Sequence, residues 1–165
     1  MQTPKKPLFR ERTHNHDTCV VDAIAQADRI CRERGLRFTP LRRQVLKIVW
    51  DRHAPTGAYD ILDALRVGKR GAAPPTVYRA LEFLREHGFV HKIESLNSFV
   101  GCNQPSGKHM GQFLICSKCS QVGELDDPEI EIIIQKKAAV AGFSVTRPTI
   151  EILGLCPDCA ETTGA

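Results

Sequence analysis

No stretch of this 165-residue chain approaches about 18 consecutive apolar residues, which excludes a membrane-spanning helix. The first residues, Met1 to Asp17, are polar and charged and lack the apolar core of a secretory signal. The expected compartment is therefore the cytoplasm, where thiols stay reduced. Internal repeats and low-complexity tracts are absent as well, which excludes a solenoid or an extended array. What remains is an ordinary globular composition, 42% hydrophobic and 25% charged, enough for one or two small domains. Each half alone would bury little surface, so a metal cross-link or dimerisation would help it fold.

Seven cysteines are present, and in a reducing compartment they point to metal ligands more than to disulfides. The net charge of +4 hides an asymmetry. Residues 1–100 hold 18 Lys/Arg against 11 Asp/Glu, whereas residues 101–165 hold 5 against 8. The basic half is a candidate for an anionic partner such as DNA, against the plainer reading of a solvated surface.

Along the chain, Val21, Ile24, Ala25, Ala27 and Ile30 fit one apolar face of a helix that Gly35 stops. Thr39-Pro40 reads as N-cap and first residue of a second helix, with Leu41, Val45, Leu46, Ile48 and Val49 inward. A short third helix spans about residues 58–66. After a basic loop at 67–73, Pro74-Pro75 leads into a fourth helix over 76–87, with Val77, Leu81 and Leu84 as its buried stripe. Residues 89–94 and 98–100, joined by a turn at Leu96-Asn97, read as a β-hairpin. Three helices and a hairpin behind a longer helix describe a winged helix-turn-helix, whose last helix before the hairpin enters the major groove. Beyond a polar stretch at 103–108, two strands, a helix from Asp127-Pro128 to about Val140, and a strand over 143–153 give a β-β-α-β half.

Two Cys-x-x-Cys pairs, Cys116/Cys119 and Cys156/Cys159, are separated by 36 intervening residues. A Cys-x-x-Cys turn aims both sulfurs at one point, and two such turns complete a tetrahedron around zinc. The competing reading is a redox dithiol, which belongs at a helix N-terminus after a strand, and neither pair reads that way. With cysteine in every position, no coordination site is left open for water, which argues for structural rather than catalytic zinc. A metallohydrolase would need an open position and a general base such as Glu124.

On the fourth helix Thr76, Tyr78 and Arg79 lie away from the buried stripe. An arginine near the start of such a helix can donate a bidentate pair to guanine O6 and N7. Thr76, Tyr78 and the helix N-terminus can reach phosphates, as can Lys69 and Arg70 in the loop before it. Tyr59, on the preceding helix, can contact a base or phosphate. Taken singly, each is equally a solvated or packing residue.

The runs Phe38-Thr39-Pro40-Leu41-Arg42, Ala58-Tyr59-Asp60-Ile61-Leu62 and Pro75-Thr76-Val77-Tyr78-Arg79-Ala80-Leu81, followed by the two Cys-x-x-Cys pairs, resemble the ferric uptake regulator family over about residues 22–159. Members of that family are metal-dependent, dimeric transcriptional repressors. The run Phe89 to Ser95 and the lone Cys102 look most like its zinc uptake regulator branch. The His-rich tract usual in iron and peroxide sensors is reduced here to Gly107-Lys108-His109-Met110-Gly111, with one histidine.

The resemblance implies a second, sensing zinc site at His91, Cys102, His109 and Glu124, and so two Zn2+ per chain. One thiolate and two imidazoles favour zinc over magnesium or manganese, although copper would compete. Singly, each residue has a plainer role as a packed or solvent-facing side chain. Cys19, Cys31, His14, His16, His53 and His87 are read as non-ligands.

The expected fold is α+β. A polar, disordered N-terminus at 1–17 precedes a winged-helix DNA-binding domain at 18–101. A hinge at 102–110 leads to a zinc-stapled dimerisation domain of small α/β type at 111–159 and a disordered tail at 160–165. The expected function is a non-enzymatic, zinc-responsive repressor that binds palindromic double-stranded DNA as a homodimer and controls zinc uptake genes. The alternative within the family is an iron, manganese or nickel sensor. A pure interaction module, with both zinc sites structural, is the alternative outside it.

Overall fold

The computed structural model describes residues 8–9, 16–51, 54–67, 73–105, 107 and 109–162. The architecture is α+β, in two compact units. Arg10–Lys108 forms one unit, and His109–Ala165 with Met1–Phe9 forms the other. The basic loop residues Lys69 and Arg70, along with His14 and His53, lie outside the described residues. Among the described residues, no helix is long and apolar enough to cross a membrane.

The first unit is a winged helix-turn-helix. It runs α1 (His16–Glu33), α2 (Pro40–Asp51), β1 (Thr56–Gly57), α3 (Ala58–Val67), α4 (Pro74–Glu86), β2 (Val90–Ile93) and β3 (Ser98–Gly101). Gly35 ends α1 at φ +64°, the left-handed turn that only glycine adopts without strain, while Leu36 N–H donates to the Cys31 carbonyl at 2.8 Å. Thr39 then caps α2, its Oγ1 accepting from Arg42 N–H at 3.3 Å. Ala27, Ile30, Val45, Leu46, Ile61, Leu81 and Leu84 form the shared core.

The buried face of α1 holds Ala27 and Ile30, with Ile24 packed against the core, as expected, but its margins differ. Val21 is 65% exposed and Ala25 is exposed too, while Val20 and Cys31 are buried. Val20, Ala27 and Cys31 lie seven and four residues apart, so Val20 and Cys31 extend the same stripe at helical spacing. Asp28 holds α1 to α2 through a two-pronged ion pair with Arg43, at 2.5 and 2.6 Å. That guanidinium lowers the Asp28 carboxyl below its ordinary range.

The hairpin turns where expected, with Asn97 at φ +46°. A two-residue strand, β1, adds to its free edge, giving the antiparallel order β1-β3-β2. A stretch that short carries no alternation from which to read it. Gly101, at the end of β3, lies so close to Trp50 that a Cβ there would overlap the indole.

The second unit contains β4 (Gly111–Cys116), β5 (Val122–Leu125), α5 (Pro128–Val140), β6 (Thr149–Gly154) and α6 (Pro157–Glu161). Its sheet order is β5-β4-β6, with β4 antiparallel to β5 and parallel to β6. Asp127 caps α5, accepting from Glu129 N–H at 2.9 Å, and Pro128 occupies the first helical position. The strand expected over 143–153 starts only at Thr149 and runs to Gly154. Thr149 pairs with Gly111, the first residue of β4, and Pro148 has no N–H to extend the ladder. The tail expected from residue 160 is helical through Glu161, because Cys156-Pro157 starts α6. At the other end, α1 starts at His16, inside the stretch expected to be disordered.

Replacing Gly101 with alanine should push Trp50 out of place and destabilise the winged-helix unit by about 1–3 kcal/mol. Trp50 is the only tryptophan, so its fluorescence in a urea titration reads this unit directly. An unchanged midpoint would contradict the packing described here.

Candidate metal centres and nucleic-acid surface

Cys116 is the last residue of β4, and its strand partner is Gly154, two residues before Cys156. The parallel pairing of β4 with β6 therefore delivers both Cys-x-x-Cys turns to one end of the sheet. Ser117 locks the junction, donating to the Gly154 carbonyl through its N–H at 2.9 Å and its hydroxyl at 3.1 Å. Ser120, at φ +60°, closes the first turn by donating to the Cys116 carbonyl at 2.9 Å. All four sulfurs lie within 4.8 Å of one another, and Cys119 Sγ is 3.7 Å from Cys156 Sγ. Zinc–sulfur bonds of about 2.3 Å in a tetrahedron put sulfurs about 3.8 Å apart, so the cluster has the size zinc requires.

The electrostatics of the cluster are uneven. Backbone N–H groups of Cys156, Cys119 and Lys118 point at the Cys116 sulfur and lower its pKa to about 6. Burial raises Cys159 to about 12, helped by hydrogen bonds with its cysteine neighbours, and burial raises Cys119 as well. One expectation is corrected here. Cys156 does sit at a helix N-terminus after a strand, the position a redox dithiol would take. The helix is only five residues long, however, and its pair shares one cluster with the other.

The expected sensing residues fall into two donor pairs, one in each unit. In the winged-helix unit His91 stands on β2 opposite Val100. Cys102 follows β3, and its N–H donates to the Phe89 carbonyl at 3.0 Å, extending the ladder one step past the strand. That step brings the buried thiol within 4.8 Å of the imidazole. In the C-terminal unit His109 precedes β4 and Glu124 stands on β5 opposite Phe113. His109 Nε2 and Glu124 Oε1 are 3.0 Å apart, their side chains 17% and 10% exposed. Bonds of about 2.0 Å to a tetrahedral ion would set such atoms about 3.3 Å apart, so this pair also fits zinc. Cys19, Cys31 and His87 join no metal-like donor cluster among the described residues.

Tyr59, Thr76, Tyr78 and Arg79 are all exposed, Tyr59 by 73%. Tyr59 and Tyr78 share a groove of about 480 Å³ between α3, α4 and the hairpin. Thr76 and Arg79 do not line it. Arg85, Lys92 and Asn97 do; from sequence, α4 is read for its apolar stripe and the hairpin for its strands and turn, so none of the three stands out as a surface residue. The start of α4 differs from expectation as well. The helix begins at Pro74, two residues early, so its first two positions lack N–H groups. Thr76 N–H is already bonded to the Ala73 carbonyl at 2.9 Å. Few amides remain there for a phosphate, and side chains must supply those contacts.

A model of the ferric uptake regulator family matches residues 33–153. The zinc uptake regulation protein of Escherichia coli K12 is 44% identical over 147 residues, covering 87% of this chain and 85% of that protein. A zinc uptake regulator solved with zinc and DNA superposes with a TM-score of 0.84 at 41% identity, covering 88% of this chain and 98% of the other. The holo form of a regulator designated XcZur gives 0.80 at 44% identity, covering 85% and 98%.

Zinc binding to the four cysteines displaces whatever protons they hold. With Cys116 near 6, that sulfur is already a thiolate at neutral pH. Zinc loading at about pH 7.5 should therefore release fewer than four protons per ion, rising as the pH falls through about 6. Calorimetry in buffers of different ionisation enthalpy, on a chain with Cys102→Ser to isolate this cluster, counts them. A full four at pH 7.5 would contradict the thiolate at Cys116.

Proposed function

The chain belongs to the ferric uptake regulator family, and we propose that it is a zinc-responsive repressor acting as a homodimer on palindromic operator DNA of zinc uptake genes. The observation that carries this reading is the pair of donor sets, a thiol beside an imidazole in one unit and an imidazole beside a carboxylate in the other. In this reading His91, Cys102, His109 and Glu124 together hold one sensing zinc ion, and Cys116, Cys119, Cys156 and Cys159 hold a structural one. Each chain thus takes two. Zinc at the sensing site would supply a cross-link that limits the relative freedom of the two units.

The residues do the rest. Arg79 reads a guanine from the major groove, while Tyr59, Thr76 and Tyr78 fix the helix against bases and phosphates. Two such helices in a dimer meet two successive half-sites. The dimer face is the apolar surface of the C-terminal unit, where Ile132 and Ile133 of α5, Phe143, and Leu153 of β6 are exposed in the single chain. The winged-helix unit, residues 18–101, binds DNA, 102–110 serves as the hinge, and 111–159 dimerises. A DNA partner places the protein in the cytoplasm, where thiols stay reduced and available to metal. Four protein ligands at each centre would leave no position for a substrate, so in this reading neither metal centre is catalytic. The thiolate donor at Cys102 sets zinc above iron, manganese or nickel as the sensed ion, since the softer ligand favours the softer metal.

Linkage sets the scale of the switch. Metal tightens DNA binding only as much as DNA tightens metal binding, typically about 1–3 kcal/mol. A Cys102→Ser variant should keep its fold and its four-cysteine zinc but lose zinc-dependent operator binding in a fluorescence anisotropy titration. Wild-type zinc dependence in that variant would remove Cys102 from the sensing site. Arg79→Ala should lose about 1–3 kcal/mol of discrimination between operator variants, more than it loses in binding to random DNA. Unchanged discrimination would assign Arg79 to the backbone instead.

A further inference from the structure

The four-cysteine cluster carries an apolar cover from a distant part of the chain. Phe9 is half-buried against Cys116, Cys156 and Cys159. Cys119 is the one cysteine of the cluster that is not fully buried. Leu8, the residue before Phe9, is seated independently. Its backbone lies over β5 at Gly123, where a Cβ would meet the Leu8 carbonyl oxygen at 3.1 Å and its Cδ2 at 3.3 Å. Gly123 thus leaves the space in which this segment rests. Neither Leu8 nor Phe9 falls within residues 33–153, the part that the family model matches.

We propose that Leu8 and Phe9 form a strap that controls exchange at the four-cysteine site, with Phe9 acting as the shutter. The inference rests on the reading of that cluster as a zinc site. A zinc ion enclosed by four sulfurs is lost only when an incoming ligand reaches the metal or a proton reaches a sulfur. An aromatic ring against the sulfurs excludes water and hinders either approach, and its contact with sulfur is itself favourable. The strap therefore governs how fast this zinc leaves, and the rest of the unit governs how tightly it is held. Because the segment is short and half-exposed, it can lift without unfolding the sheet beneath it.

The test uses the full-length, zinc-loaded protein and the colorimetric chelator pyridylazoresorcinol, following the slowly released zinc. Phe9→Ala should speed that release by about tenfold, the order expected from uncovering a half-buried aromatic side chain. Phe9→Leu should fall between the two. Gly123→Ala, which crowds Leu8, should speed release without touching Phe9. Starting zinc content and urea midpoint should match the wild type in each. Equal release rates in Phe9→Ala and wild type would overturn the proposal. So would faster release that appears only in step with a lowered urea midpoint, since that is general loosening. A Cys116→Ser variant separates the premise from the inference. If it retains the full wild-type zinc content, the cysteine reading fails. If it loses one zinc while Phe9→Ala releases at the wild-type rate, only the strap fails.

Discussion

The C-terminal unit depends on four sulfurs meeting at one end of a three-stranded sheet. Its buried apolar side chains are few. Met110, Phe113 and Ile115 are the large ones, and α5 buries none of its residues within the single chain. Side chains of that kind contribute roughly 5–9 kcal/mol together. A structural zinc contributes on the order of 10–16 kcal/mol at neutral pH. With zinc bound as proposed, the metal term would be the larger, and the register of β4 against β6, which sets Cys116 beside Gly154, is what would make it available. The exposed isoleucines of α5 are the other half of the balance, since a second copy of the chain is needed to cover them.

That dependence separates the two metal roles. A closed sulfur shell is expected to stay filled when zinc is scarce, so it cannot report scarcity. The donors at His91, Cys102, His109 and Glu124 are of mixed type, and each unit supplies only two of them. Neither pair alone completes a four-coordinate ion. In the proposed reading, a zinc ion held by all four would be lost as zinc grows scarce, which is what a sensor requires. Repression then follows from geometry, because two recognition helices bind one operator only when their spacing matches the DNA.

Much of this was legible in the sequence. Thr39-Pro40, Asp127-Pro128, Gly35 and Asn97 carry local turn and cap chemistry that needs no tertiary context, and each does what its residue type favours. The Cys-x-x-Cys spacing gave the four-cysteine cluster directly. On α1, Ala27 and Ile30 were legible, whereas the burial of Val20 in place of Val21 was not, because both are apolar and only packing against α2 selects between them. The late start of β6 depended on where β4 begins, which is a tertiary fact. The early start of α4 came from two prolines that fit its first turn as well as the loop before it. The individual sensing donors carry no local signal at all, and resemblance to the family was the only route to them.

In the proposed mechanism, operator affinity is set by a second, weaker zinc site while the first stays full. The direct measurement is operator binding as a function of buffered free zinc, with bound zinc per chain counted at every point. One zinc per chain should be retained throughout, with affinity rising as the count goes from one to two. A rise in affinity that accompanies filling of the first zinc, or a second zinc that fills with no change in affinity, would contradict it.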